Sequence, residues 1–200
     1  MKLSNLEFIV MNNPIRRWFQ KRLELRVFKQ HLNKYNIDLN DKVILDIGCG
    51  SGYSTELISK EFAPSRLFAF DYMPEQVELA KKRGVNSAFF VGDATEIDLD
   101  SNTFDAAFVF GVLHHIPGWK KAIREIARIL KSDGVLLIEE PRECFINFAD
   151  FLGFYHPKAA RFSWQEFEKE LELGGFKILT KKTFLVGTFR SYLCLNQKNL

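Results

Sequence analysis

At 200 residues, with 46% hydrophobic and 26% charged side chains, the chain has the composition of one ordinary globular domain and enough length to bury a single core. No stretch reaches the roughly 18 uncharged apolar residues of a membrane span, and the opening MKLSNLEFIVMNNP lacks a full secretory pattern, so a cytoplasmic address is expected. The net charge of +3 is small for a nucleic-acid binder, and Cys49, Cys144 and Cys194 are odd in number, far apart and without a CxxC, which argues against a disulfide framework or a zinc-cysteine site and for reduced thiols.

The charge is unevenly placed. Residues 1–41 hold eight Lys or Arg against four acids, which leaves the rest of the chain almost neutral. Asn13 before Pro14 has the form of a helix start, a capping side chain followed by a proline at the first helical position. Ile15, Trp18, Phe19, Leu23, Phe28, Leu32 and Tyr35 then form an imperfect apolar stripe, with Arg16, Lys21, Arg22, Arg26 and Lys29 mostly off it. Residues 1–40 are therefore expected to be a basic amphipathic helical extension that caps the site of a domain spanning 41–200. An anionic membrane surface is an alternative partner for it; DNA is not expected.

Short apolar runs next alternate with helical patterns, as a parallel sheet with crossover helices requires. Strands are predicted over 43–47, 66–70, 87–91, 104–110 and 135–139, and helices over 51–62, 74–83 and 120–131, the last ended by Ser132, Asp133 and Gly134. An insert at about 141–162 carries Phe145, Phe148, Phe151, Leu152 and Tyr155 at helical spacing. Ser163 to Glu166 is a capping box that opens a further helix ending near Gly174 and Gly175. Two strands, about 177–185 and 188–195, meet at Gly187 and so pair antiparallel. The expected fold class is α/β: a Rossmann-like, doubly wound, seven-stranded sheet, mostly parallel with an antiparallel terminal strand.

Three glycines at alternate positions, Gly48, Gly50 and Gly52, follow the first strand in LDIGCGSG. A strand that feeds a glycine turn and a helix amino terminus offers free backbone N–H groups to a polar ligand at the carboxyl edge of the sheet. A phosphate-binding P-loop is excluded, because it needs GxxxxGK and no lysine stands between Gly48 and Lys60. The dinucleotide fingerprint GxGxxG needs a glycine where Tyr53 stands, which weakens a nicotinamide-dependent oxidoreductase without removing it as the alternative.

The remaining pattern, Asp46 followed by GxGxG, resembles motif I of the class I S-adenosylmethionine-dependent methyltransferases, the small single-domain type 11-like group in particular. Four further stretches agree in order: Asp71 at the end of the second strand, Gly92-Asp93-Ala94 after the third, FDAAFVFGVLHHI around the fourth and LKSDGVLLIEEP leading into the fifth. The resemblance implies S-adenosyl-L-methionine as cofactor. It assigns Gly48, Gly50 and Gly52 to the methionine and ribose portion, Asp71 to the ribose, Asp93 and Ala94 to the adenine and Gly111 to a close approach of the chain, with Asp46, Tyr72 and Met73 also counted as cofactor-binding. The NPPY-like tetrapeptide of base and glutamine amino methyltransferases is absent after the fourth strand, where Val112 to Pro117 stand instead. Acceptors at oxygen, carbon, sulfur or another nitrogen stay open.

Methyl transfer asks mainly for alignment of acceptor and donor, and a general base enters only for a weakly acidic acceptor. His114 and His115 are the candidate bases. In an extended chain neighbouring side chains point oppositely, so one of them at most is expected to face the pocket, and no metal site is expected from the pair. Glu139, Glu140, Tyr155 and His156 are further candidates for substrate contact, the two acids being expected to sit in solvent at the strand's exit. The Phe-rich insert is expected either to wall a small apolar or aromatic acceptor or to pack onto the body. A lipid or a macromolecule is the alternative acceptor class.

Overall fold

A computed structural model describes residues 13–153 and 156–197; Tyr155 and the first twelve residues of the extension lie outside them. The β-branched and aromatic runs become seven strands: β1 (Val43–Ile47), β2 (Arg66–Asp71), β3 (Ala88–Val91), β4 (Phe104–Phe110), β5 (Leu130–Pro141), β6 (Phe176–Phe184) and β7 (Phe189–Asn196). They lie in the order β3-β2-β1-β4-β5-β7-β6. The first five pair in parallel, and β7 runs antiparallel to both β5 and β6. Strand order reverses between β1 and β4, and a crevice at the carboxyl ends of these two strands follows from that reversal.

Both faces of the sheet are covered, and strand alternation decides which residues go where. Ile44, Ala106, Phe108 and Leu137 pack against α2 (Leu25–Lys34) and α3 (Tyr53–Phe62) through Phe28, Leu32, Leu57 and Ile58. Leu45, Ala107, Val109 and Ile138 point the other way, against α5 (Trp119–Ile129) and α7 (Trp164–Leu173). The edge helix α4 (Pro74–Lys81) opens with its proline, as the sequence predicts. Ser163 caps α7 by accepting from the Glu166 amide at 3.1 Å.

Three departures have local causes. The basic helix is not uniform: α1 (Pro14–Phe19) passes through a π-helical turn, Gln20–Glu24, before α2 begins. That turn covers the place where the apolar stripe slips by five residues, between Leu23 and Phe28. Next, α5 leads directly into β5, and the Ser132-Asp133-Gly134 turn becomes a bulge inside the strand, between the pairs Phe104 with Leu130 and Ala106 with Val135. Finally, in α6 (Glu143–Phe151) Ile146 is buried while Phe148 and Phe151 are 58% and 85% exposed. Phe145 instead packs on Phe189 of β7, ring centroids 5.1 Å apart.

Candidate active site

The turn from Gly48 to Gly52 joins β1 to α3, and all three glycines adopt positive φ, at 71°, 51° and 81°. They do so for different reasons. A Cβ on Gly48 would stand 2.6 Å from a methyl of Val112, and one on Gly52 would stand 2.9 Å from the Cα of Ala80, so Gly52 lets α3 and α4 approach. A Cβ on Gly50 would meet nothing within 4 Å. Gly48 and Gly50 line a cavity of about 540 Å³ at the carboxyl edge of the sheet, within the usual range of small-molecule sites. Gly52 stands behind it.

Asp46 also stands behind the cavity wall and not in it, which corrects its expected place at the ligand. Its Oδ2 accepts from the hydroxyls of Ser54 and Thr55, both at 2.6 Å, and so ties the end of β1 to the first turn of α3. Burial pushes its carboxyl up to about 6, against the pull of those two hydroxyls. Its role is to hold the turn in shape.

The other acids do reach the cavity. Asp71 accepts from the Gly50 amide at Oδ2 and from the Met73 amide at Oδ1, each at 2.9 Å, so the carboxylate is locked against the glycine turn. Burial raises its pKa, and the two amides oppose the rise. Tyr72 and Met73 line the same wall, Tyr72 largely exposed and Met73 buried. Asp93 caps its own turn, Oδ1 accepting from the amide and hydroxyl of Thr95 at 2.7 and 2.8 Å, and still lines the cavity beside Ala94. Gly111, at φ 63°, forms part of the opposite side.

Several groups in or around the cavity escape sequence reasoning. Arg16 and Gln20 reach the wall from α1 and the π-turn. Arg16 pairs with Glu24 at 2.6 Å, and Glu24 neighbours the fully buried Glu139, whose carboxyl is pushed well up by burial and by the Glu24 charge, against the pull of Arg16. Glu139 and Glu140 are therefore not solvated strand-end acids. Glu140 binds the turn after β4: Oε1 accepts from the amides of Val112 and Leu113 at 3.2 and 2.8 Å, and Oε2 lies 2.7 Å from His114 Nδ1. Among these groups the one available signal was the slipped stripe that marks the π-turn, a feature common at functional sites.

The histidine pair departs furthest from expectation. Leu113–His115 is a 3₁₀ turn and not extended chain, so the two rings do not diverge but lie 4.1 Å apart, centroid to centroid. His115 lines the cavity. His114 does not; it is buried, and burial lowers its pKa to about 3, with the charges of His156 and Arg16 adding to the effect. His156, from the insert, is buried beside both rings, 4.9 Å from His115 and 5.4 Å from His114, with Nδ1 2.5 Å from Asp150 Oδ1.

Residues 45–138, which contain the glycine turn, Asp71, Asp93 and the histidine turn, match the family model described as a methyltransferase domain. That match agrees with the resemblance of the glycine turn and the stretches after it to the class I S-adenosylmethionine-dependent methyltransferases. The chain is 26% identical over 121 residues to the phthiotriol/phenolphthiotriol dimycocerosates methyltransferase of Mycobacterium leprae, covering 57% of this chain and 45% of that protein. It is 28% identical over 104 residues to the demethylmenaquinone methyltransferase of Thermotoga maritima, covering 52% and 45%. The chain thus spans under half the length of these curated relatives. A chain of the Haloferax volcanii complex between the Trm112 methyltransferase activator and a methyltransferase superposes with a TM-score of 0.77 at 16% identity, covering 92% of this chain and 94% of that one. An S-adenosylmethionine-dependent methyltransferase from Mesorhizobium loti gives 0.70 at 15% identity, covering 84% and 96%. At such identities the likeness is one of fold.

Proposed function

We propose that this protein transfers a methyl group from S-adenosylmethionine to an apolar, lipid-like or quinone-like acceptor. The observation that carries the reading is one cavity lined together by the Gly48 and Gly50 backbone, the Asp71 carboxylate and the Asp93-Ala94 turn. The residues fit the cofactor: Gly50 leaves open space where any Cβ would intrude, and each oxygen of Asp71 uses one lone pair on a backbone amide, leaving capacity for two ribose hydroxyls. Asp93 holds its turn through Oδ1 and offers Oδ2 to an exocyclic amine.

The donor supplies its own electrophile, a methyl group on a cationic sulfur. The chain's part is alignment at roughly 3–3.5 Å and exclusion of water. Phe70, Phe110, Val112 and Ile116 give the cavity an apolar side that excludes water and favours an apolar acceptor. Of the two candidate bases, His115 alone stands in the wall, while His114 is committed to Glu140. Relatives named for lipid and quinone methylation support the acceptor class.

A membrane source for the acceptor is favoured by one further feature. Ile15 and Trp18 are 72% and 56% exposed on α1, the basic helix whose Arg16 lines the cavity. No helix among the described residues is long and apolar enough to cross a membrane, so the contact would be peripheral.

The test is transfer of labelled methyl from S-adenosylmethionine to a panel of quinols, phenolic lipids, small polar phenols and total RNA or protein. The reading requires incorporation into the apolar members, faster when they are presented in anionic vesicles. Incorporation into RNA or protein alone would replace it with the macromolecular reading.

A further inference from the structure

His114, His115 and His156 come together from two separate segments, the turn after β4 and the loop after α6. One ring nitrogen from each lies within 4.8 Å of the others. Two of the three rings are fixed from behind by carboxylates: His114 Nδ1 is 2.7 Å from Glu140 Oε2, and His156 Nδ1 is 2.5 Å from Asp150 Oδ1. Both carboxylates are in turn held, Glu140 by the Val112 and Leu113 amides and Asp150 by an ion pair with Arg161. A carboxylate behind each imidazole, holding one nitrogen so that the other is presented, is the arrangement that orients metal-bound histidines.

We propose that these three histidines bind a divalent transition metal ion of the zinc class at the cavity wall. His114 and His156 would coordinate through Nε2, since Nδ1 of each is taken by its carboxylate. Three imidazoles suit zinc, cobalt, nickel or copper, whereas magnesium and calcium prefer oxygen ligands. Metal–nitrogen bonds of about 2.0–2.1 Å in a tetrahedral site put ligand nitrogens roughly 3.3 Å apart, so the rings, with nitrogens within 4.8 Å of one another, draw together by up to about 1.5 Å on capture. Three protein ligands leave a fourth position, as in zinc sites that bind water or substrate. His115 lines the cavity, so the ion would stand beside it, fastening the insert to the turn after β4 and offering that position to an oxygen of the acceptor. The site stands on the histidine geometry and is independent of the methyl-donor reading.

The cluster holds three of the four histidines in the chain, and His31, hydrogen-bonded to Ser191, is the remaining one. The experiment is calorimetric titration of tag-free, chelator-treated protein with Zn²⁺, backed by visible absorption of the Co²⁺ form. The proposal predicts one ion per chain with micromolar or tighter affinity, a tetrahedral Co²⁺ spectrum, and no change in His31→Gln. His156→Ala should lose at least 100-fold in affinity, and Asp150→Asn, which keeps all three rings, about 10- to 100-fold. If His156→Ala fails to fold, His115→Gln, altered at a half-buried ring, carries the same expectation. Zn²⁺ binding that is absent, that shows no one-to-one saturation, or that survives in the folded histidine variants would overturn it.

Discussion

The two sides of the cavity are built differently. On the glycine side the cavity wall includes the backbone of Gly48 and Gly50, both at positive φ, and a carboxylate, Asp71, that grips the Gly50 amide. On the histidine side it is side chains from distant segments, with residues 113–115, 140, 150 and 156 held together through buried ionisable groups. The glycine turn is held by one neighbouring strand end, through Phe70 and Asp71, whereas the histidine cluster draws on the turn after β4, the end of β5, α6 and the loop that follows it.

The largest expected effect falls on the histidine side. Glu140→Ala removes the acceptor of the buried Leu113 amide and the partner of His114, and each buried polar group left unpaired in this way costs about 1–3 kcal/mol. Chemical denaturation should register that loss, while affinity for S-adenosylhomocysteine in the still-folded fraction stays close to wild type. A variant of wild-type stability would mean the two sides are not built as described.

Glycine substitutions sharpen the contrast on the other side. Gly52→Val places a branched side chain at φ 81° against the Ala80 backbone, adding about 1–2 kcal/mol of left-handed strain to about 1–3 kcal/mol of overpacking. Gly50→Ala meets no neighbour and should pay the strain alone, yet its Cβ enters the ligand space. The pair therefore separates in opposite directions: Gly52→Val melts lower, and Gly50→Ala binds cofactor worse. Equal behaviour in melting and binding would erase the distinction between a packing glycine and a ligand glycine.

Asp46 gives the pH dependence. Its folded pKa of about 6 lies above the unfolded value near 3.8, so the native state holds the extra proton between these limits and its contribution to stability is lost as pH rises through them. Asp46→Asn, neutral throughout, should match wild type near pH 4 and gain on it by up to about 3 kcal/mol at pH 7.5, at roughly 1.4 kcal/mol per pKa unit. Urea titrations at the two pH values measure this; an Asn variant that loses ground as pH rises would show that the wild-type carboxylate is stabilised in its ionised form.

The smallest free-energy change is on binding. Asp71→Ala should cost binding about the net worth of one hydrogen bond to a charged acceptor, about 1.5–3 kcal/mol, and so weaken S-adenosylhomocysteine roughly 10- to 100-fold while the sheet stays intact. Calorimetry gives the ratio directly.

This division also explains what the sequence made legible. The strands and crossover helices announce themselves through local periodicity, and Gly48, Gly50, Asp71 and Asp93 through fixed spacing after strand ends, because both signals lie within a few residues. Asp46 and Gly52 belong to the same motif but serve the turn from behind, a distinction that spacing cannot carry. Glu140 and His156 join His114 only through tertiary structure, and the assumption of an extended chain at residues 114 and 115 failed because Glu140 gathers the amides of that segment into a 3₁₀ turn. The exposed Phe148 and Phe151 show the limit of aromatic periodicity: it marks a helix face without saying what covers it.

The central claim is that the glycine side holds S-adenosylmethionine. The most direct measurement is the melting temperature of the protein alone, with S-adenosylhomocysteine and with NADH, in wild type and in Asp71→Ala. At about 100 times the dissociation constant a ligand stabilises by about 2.7 kcal/mol, or roughly 5–10 °C for a chain of this size. The account predicts that shift with S-adenosylhomocysteine alone, and a smaller one in Asp71→Ala at the same concentration. A shift with NADH and none with S-adenosylhomocysteine would contradict it and return the glycine turn to the oxidoreductases.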